Sequence, residues 1–343
     1  MSTVYDVAAR AGLSVGTVSR YLTGNGYVSA AARERIAAAI TEIGYIQDRA
    51  AASLTTKKTG LLGFVVSQLR NPYTVEVASA MGDAARVHGY GVVLADSCGD
   101  PALAISAVEL LRGHKVDGLI VTPPESPAYN DTLIAAAREI PVVGIGLRTT
   151  PMVTDLATVD TRLGARQAVQ YLIGLGHRRI AYFGSDSMAL GRLAAYREIL
   201  AEHGITADPA LTQLGGVDRP AGYAAAQRVL ALADPPTAIF AANDTVAFGA
   251  IQAAASLGIR VPDDLSVIGF DDIDLASFAI PPLTTVAQRM SQLGEAAITL
   301  LMNRLNGVAP DGEPQEVVLD SHLVIRDSCA PPPDRRQLSK GQQ

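Results

Sequence analysis

The chain has no tryptophan, and phenylalanine and tyrosine together make up only 5% of its 343 residues. Any ring-shaped ligand must therefore stack on Tyr or Phe. The two cysteines, Cys98 and Cys329, stand far apart without metal-ligand spacing. That argues against a disulfide framework and suits a reducing compartment. Histidine is scarce, and no His/Cys/Asp cluster suggests a metal site. No apolar run is long enough to span a membrane, and none opens the chain as a secretory signal. Neither Gly-x-Gly-x-x-Gly after the first strand nor Gly-x-x-x-x-Gly-Lys-Ser/Thr occurs, so a nucleotide-dependent enzyme lacks its phosphate cradle. No enzymatic activity, cofactor or metal is expected, and the location is expected to be cytoplasmic, on the nucleoid when DNA is bound.

The charge that is present is unevenly placed. Residues 1–60 hold seven Lys/Arg against four Asp/Glu, a net +3, so the total of −6 leaves −9 for the remainder. A basic head on an acidic body fits binding to nucleic acid through the head alone.

That head reads as two short helices and a tight turn. Thr3 is placed to cap the first, with Asp6 complementing its N-terminus. Val4, Val7, Ala8 and Ala11 recur at helical spacing. Gly12 terminates, Leu13 plugs the gap, and Ser14 caps the second helix, Val15–Leu22. Val18, Tyr21 and Leu22 face inward. Val15, Gly16, Thr17, Ser19 and Arg20 are left outside, where Arg20 suits a guanine edge and Thr17 and Ser19 suit phosphate or base. A third helix starts at Ser29, carries Ile36, Ile40 and Ile43, and ends at Gly44. This is a helix-turn-helix, which sets its second helix in a DNA major groove.

Tyr5-Asp6-Val7-Ala8, Ala11-Gly12-Leu13-Ser14, Thr17-Val18-Ser19-Arg20 and Gly44-Tyr45-Ile46 resemble the lactose-repressor (LacI/GalR) family of bacterial transcription regulators. The resemblance runs to about Asp327. It implies that Val15, Gly16 and Arg20 occupy base-reading positions. It also implies a hinge helix over Gln47–Leu54, with Leu54 as a wedge between base pairs of the minor groove and Arg49 and Ser53 touching phosphate or groove floor. The expected DNA-contacting set is Tyr5, Ser14, Val15, Gly16, Thr17, Ser19, Arg20, Arg49, Ser53 and Leu54. The hinge departs from the family in Gln47 for Pro, Asp48 for Asn and Ala52 for Arg.

From Leu61 onward, buried strands alternate with helices, which implies parallel, doubly wound sheets. Strands are expected at Leu61–Val66, Gly91–Ala95, Gly118–Val121 and Pro141–Ile145, then in a second series at Ala157–Val159, Arg179–Phe183, Ala210–Leu214, Ala238–Ala241 and Leu265–Gly269. Helices are expected at Glu76–His88, Leu103–Arg112, Gly164–Leu175, Leu190–Glu202, Gly222–Ala231, Thr245–Leu257 and Met290–Asn306. The fold class is thus an all-α headpiece on an α/β body of two doubly wound lobes. The resemblance makes that body periplasmic-binding-protein-like, with three chain crossings. Expected boundaries are a headpiece over 1–46, a hinge over 47–58, and a two-lobed effector-binding and dimerisation domain over 59–329. Within that domain the first lobe takes about 60–156 and 288–317, and the second about 157–287 and 318–329. The tail, 330–343, is Pro-rich and polar and is expected to be disordered. It lacks leucine heptads, so a homodimer is expected rather than a tetramer.

Ligands of such sheets bind at strand carboxyl ends. Sugars need charged or amide groups that bond hydroxyl pairs. By position and by the resemblance, the expected effector set is Tyr73, Asp96, Arg148, Arg192, Asn243, Asp271 and Gln288, with Asp244 capping the following helix. Asp160 serves a crossing or a cap, and His177 is structural. Val217 stands where some relatives place a stacking aromatic, and Gly146-Leu147-Arg148 shifts the family's Asp-Arg. The expected function is a dimeric repressor of a pseudo-palindromic operator on double-stranded DNA. Its effector is a sugar or polyol, ahead of a sugar phosphate, nucleoside or purine. The alternative is a sugar-binding protein without gene control.

Overall fold

The computed structural model describes residues 2–24, 26–46, 58–122, 126–146, 154–185, 189–308 and 313–333. They fall into two compact units, Met1–Gly60 with Lys115–Asp117, and Leu61–His114 with Gly118–Gln343.

In the first unit, α1 (Val4–Ala11) opens on a reciprocal cap. Thr3 Oγ1 accepts from the Asp6 amide at 3.3 Å, and the Thr3 amide donates to Asp6 Oδ2 at 2.7 Å. Two of the four donors that a helix start leaves orphaned are thereby satisfied. Gly12 ends α1 at φ 62°, a left-handed turn that glycine makes without a Cβ penalty. Ser14 caps α2 (Val15–Thr23) and Ser29 caps α3 (Ala30–Ile43). Val7, Ala8, Ala11, Val18, Val28, Ile36 and Ala39 form one small core to which all three helices contribute.

The second unit has two lobes. The first lobe's sheet holds β1 (Leu61–Val66), β2 (Gly91–Asp96), β3 (Gly118–Val121), β4 (Val142–Ile145), β5 (Asp155–Asp160) and β11 (Glu316–Asp320). All pairs are parallel, in the order β11-β5-β4-β3-β1-β2. Alternation in β1 serves two layers. Leu62 and Phe64 join the core beneath α4 (Pro72–Val87) and α12 (Met290–Leu305). Gly63 turns to the other face, where a Cβ would press on Leu111 of α5 (Pro101–Gly113) at 2.8 Å. A further helix, α6 (Pro127–Ala137), packs against α5.

The second lobe's sheet is β6 (Ile180–Phe183), β7 (Thr212–Gln213), β8 (Ala238–Ala241) and β9 (Ser266–Ile268), parallel in the order β7-β6-β8-β9. One face carries α7 (Thr161–Gly174) and α8 (Ala194–Glu202), and the other carries α9 (Arg219–Leu230) and α10 (Asp244–Ser256). The chain passes between lobes three times: from β5 into α7, from β10 (Thr285–Ala287) into α12, and from β11 into β12 (His322–Val324). β10 and β12 pair antiparallel, and Ser321 Oγ donates to the Asp160 carbonyl at 2.6 Å. Gly164 sits where all three crossings meet. A Cβ there would lie 2.4 Å from Val286 Cγ1 and 2.6 Å from Ser321 Oγ.

Several expectations change. The strand read as Ala157–Val159 runs over Asp155–Asp160 and pairs with β4. It therefore belongs to the first sheet rather than the second series, which moves the crossing from 156 to the Asp160–Thr161 step. Val318 and Leu319 likewise lie in β11, inside the first sheet, so the last return comes after Asp320 and not at 318. The expected strand Ala210–Leu214 is a 3-10 turn, Pro209–Leu211, followed by the two-residue β7, because Asp208 caps that turn through the Ala210 amide. The tail reading fails at its start. Ala330 is held on both sides, its amide donating to Ser266 Oγ at 3.0 Å and its carbonyl accepting from that hydroxyl at 2.9 Å. Residues 334–343 lie outside the described residues. Cys98 and Cys329 are free thiols. Among the described residues, no helix is long and apolar enough to cross a membrane and no acidic, His and Cys cluster could hold a metal ion.

Candidate functional site

Two surfaces carry chemistry, one in each unit. On α2, Gly16, Ser19 and Arg20 are exposed, while Thr17 and Val15 are half-buried. Val15 leans on the headpiece core, so less of it is free than its position suggests. Thr17 Oγ1 lies 2.9 Å from Ser14 Oγ, and Arg20 Nε donates to the Gly16 carbonyl at 3.1 Å. The cap thus shares its hydroxyl bond with Thr17, and Arg20 lies along its own helix. Tyr5 is 70% exposed on α1. Of these, Tyr5, Gly16, Ser19 and Arg20 form a short exposed polar and cationic strip, which suits a nucleic-acid edge. Arg49, Ser53 and Leu54 of the expected hinge lie outside the described residues, as does Arg148.

The second surface lies where the lobes meet. After β9 the chain runs Gly269-Phe270-Asp271-Asp272, and Asp271 adopts φ 121°, a conformation that side chains rarely take. Its backbone is fixed by the returning crossing, since the Asp271 amide donates to the Val286 carbonyl at 2.9 Å. Gln288 Nε2 donates to Asp271 Oδ1. Arg192 comes from a π-helical turn, Ala189–Leu193, that replaces the start of the helix expected from Leu190. Its guanidinium stacks 3.9 Å from the Phe270 ring centroid, donates from Nη1 to the Ala242 carbonyl at 2.6 Å, and points Nη2 at Asp271 Oδ1, 3.8 Å away. Arg192, Asp271 and Gln288 are all buried.

The first lobe contributes α4. Asn71 caps it through the Tyr73 amide, and Pro72 sets its first turn. Tyr73 faces the cluster. Burial pushes its hydroxyl up, Asp271 adds to this, and the Arg192 charge opposes it. Glu76, one turn on, accepts from the Asp274 amide at 3.2 Å, a bond from α11 (Asp274–Phe278) of the second lobe to the first. Ile273 beside it enters the first lobe's core. Burial pushes the Asp271 carboxyl up to about 7, with Arg192 and Gln288 pulling down and Glu76 pushing further up. The group therefore changes charge near neutral pH.

Two neighbours exchange roles. Asn243, expected in the cleft, caps α10 by accepting from the Val246 amide at 2.7 Å, and its Nδ2 donates to the Val217 carbonyl at 2.9 Å. Asp244, expected as the cap, is fully buried and accepts from the Ile273 amide at 2.9 Å and from Thr285 Oγ1. The space for it exists because residue 269 is Gly, where a Cβ would sit 2.1 Å from Asp244 Oδ1. Burial, and then the Asp271 charge, hold the Asp244 carboxyl well above its ordinary range. Asp244 thus ties the Asp271 loop to the crossing strand. Asp96 is exposed, and its bonds go to the Leu69 and Cys98 amides at 3.2 and 2.9 Å. They order the loops after β1 and β2 and do not reach the Arg192–Asp271 group. His177 bridges Thr237, Ser266 and the Ala330 carbonyl, a structural bracket. Asp160 caps α7 through the Leu163 amide. The sequence reading missed Glu76 and Phe270. Glu76 was within reach of it, three residues after Tyr73 on one helix.

The site is thus a buried cation and a titrating carboxylate from the second lobe and an amide from the crossing after β10, closed by a tyrosine and a glutamate from the first lobe. It can bond paired hydroxyls, and among the described residues its lining has no nucleophile–base pair. Residues 3–48 match the model for bacterial regulatory proteins, lacI family, and residues 169–329 match a periplasmic binding protein-like domain. The HTH-type transcriptional regulator DegA of Bacillus subtilis (strain 168) is 34% identical over 96% of this chain and 98% of its own. The ribose operon repressor of Haemophilus influenzae is 31% identical over 96% and 98%, and the repressor CytR of Escherichia coli K12 is 33% identical over 95% and 96%. Among solved structures, the lac repressor dimer bound to operator and an anti-inducer superposes with TM-score 0.84 at 31% identity, over 96% of this chain and 99% of that one. A complex of the regulator CelR with cellobiose gives 0.70 at 32%, over 96% and 100%. With a helix-turn-helix at its head and a two-lobed binding body behind it, this chain belongs to the lacI family of bacterial transcription regulators.

Proposed function

We propose that the protein is a repressor that binds a pseudo-palindromic operator as a homodimer and answers to a sugar or polyol in the interlobe site. The observation that carries this reading is the Arg192–Asp271–Gln288 cluster facing Tyr73 of the other lobe. A ligand bonded to both sides changes the free energy of closure, and only such differential binding can shift a two-state regulator. The polar, charge-bearing lining favours a hydroxyl-rich ligand over an apolar one. Asn243 enters this reading as a support of the cleft wall. Arg148 is retained as a ligand residue on family grounds, and Leu54, Arg49 and Ser53 as groove contacts.

Two exposed apolar groups support the dimer. Leu103 and Leu110 on α5 are 49% and 57% exposed, on the sheet face that also carries Val93 of the edge strand β2, at 39%. Phe278 and Ile280 at the end of α11 are 73% and 93% exposed. Such residues on a monomer mark contact surfaces.

The test has two steps. Genomic fragments retained by the purified protein are footprinted, and a two-fold symmetric protected sequence is the expected result. Sugars, sugar phosphates and nucleosides are then screened for a rise in melting temperature and for release or tightening of that fragment. Sequence-indifferent retention would overturn the operator reading, and a compound-independent footprint would overturn the effector reading.

A further inference from the structure

Tyr182 is a large polar side chain of the second sheet that neither the family likeness nor the proposed effector site uses. It sits in β6, fully buried, with its ring 5.7 Å from Phe240 and 5.5 Å from Tyr196. The two tyrosines differ at their tips. Tyr196 Oη donates to the Ile180 carbonyl at 2.8 Å. Tyr182 Oη has no hydrogen-bond partner among the described residues. A hydroxyl shut away from water without a partner lowers stability, so its retention in an aromatic layer needs a reason.

Its direction supplies one. The ring runs along the sheet toward the carboxyl end of β6, and the hydroxyl lies beside Gly184, where a Cβ would collide with it at 2.7 Å and with Ala242 Cβ at 2.9 Å. Glycine at 184 therefore leaves the hydroxyl room at the strand end. Ala242 is also the residue whose carbonyl holds Arg192 Nη1. Burial raises the Tyr182 hydroxyl's pKa and the nearby Arg192 charge opposes it, which leaves it pushed up to about 12. The phenol stays protonated at neutral pH and is a donor.

We propose that Tyr182 is a specificity-determining residue of the interlobe site, its hydroxyl donating to an oxygen of a hydroxyl-rich ligand seated against Arg192. This rests on the reading of that site as an effector cleft. The ligand class it selects carries an acceptor oxygen at the β6 end, and an analogue deoxygenated there binds as well to a phenylalanine variant as to the wild type.

The test is Tyr182→Phe in the full-length protein, which keeps the ring and removes one oxygen. Melting temperatures are recorded for the free protein and against titrations of D-ribose, D-glucose, cellobiose and adenosine. The expected result has two parts. The free variant melts within about 2 °C of wild type or above it, because no internal bond is lost. Its dissociation constant for the compound that shifts the wild type rises by about tenfold. A melting temperature of the free variant more than about 2 °C below wild type shows an internal partner and overturns the proposal, as does an unchanged dissociation constant. If no compound shifts the wild type, the effector reading of the cleft fails and this proposal falls with it. A wild-type shift that the variant reproduces in full leaves that reading standing and removes Tyr182 alone.

Discussion

At Asp271 the fold holds a carboxylate in a place that opposes its charge. It is buried, it shares the site with the buried Asp244, and Glu76 faces it from the other lobe, with Arg192 opposing them. A folded-state pKa raised from 3.8 to about 7 means the folded form binds the proton more tightly than the unfolded chain. Stability from this group is therefore complete below pH 4 and is lost as pH rises through 7, levelling about a unit above that. Asp271→Asn removes that dependence. The difference in urea midpoint between variant and wild type should be smallest near pH 4, should grow in the variant's favour through pH 7, and should level off by about pH 8. A difference that does not change with pH would mean the carboxyl titrates normally. The same variant is expected to abolish the response to any effector while retaining DNA binding, as gel-shift titration with and without compound will show.

Helix ends and crossings carry the next scale. The headpiece core is seven buried side chains, six of them Ala or Val and one an Ile at the α3 centre, so its caps weigh heavily. Thr3→Ala breaks the reciprocal bond with Asp6 and is expected to cost about 1 kcal/mol, read as faster proteolysis at the head with the body's melting unchanged. At the crossings, Gly164→Ala puts a methyl between Val286 and Ser321, where overpacking typically costs about 1–3 kcal/mol. The expected result is a lower melting temperature for the body together with altered effector affinity, because the three crossings must slide past each other when the lobes move. Unaltered affinity at reduced stability would show a passive packing site.

Legibility follows the same scale. The helix-turn-helix was readable down to its caps because Thr3, Gly12, Ser14, Ser29 and Gly44 act within a turn of themselves. Arg192, Asp271 and Gln288 were found as a set from strand ends and family likeness, and they do converge. Sheet membership was not readable for β5 and β11, since a short apolar strand does not state which distant partner it joins. The Asn243–Asp244 exchange turned on Gly269, 25 residues further on, whose missing side chain makes room for Asp244. The π turn that lifts Arg192 into place has no local signature beside an ordinary helix start.

For the whole molecule, the apolar residues on α5 and α11 set the assembly expectation. Leu110→Glu together with Phe278→Glu places charge in both exposed apolar groups. Sedimentation velocity is expected to show the wild type as a dimer and the double variant as a monomer with the same melting profile by far-ultraviolet dichroism. Operator affinity should fall by about 100-fold or more, because two headpieces no longer share one binding event. A variant that still sediments as a dimer would place the interface elsewhere.

The route of the chain has a consequence for its birth. The first lobe's sheet is finished by β11, residues 316–320, and its core by α12, residues 290–305, yet all four strands of the second lobe's sheet are encoded between β5 and these pieces. While a ribosome emits residues 161 to 289, the first lobe waits with the outer edge of β5 unpaired and half of its α4 face bare. An open strand edge and an uncovered apolar face are what aggregation and chaperones both seek. The later-encoded lobe is therefore expected to complete its sheet first, and pulse-labelled nascent chains arrested near residue 285 should show protection in β6, β8 and β9 before β1 and β3.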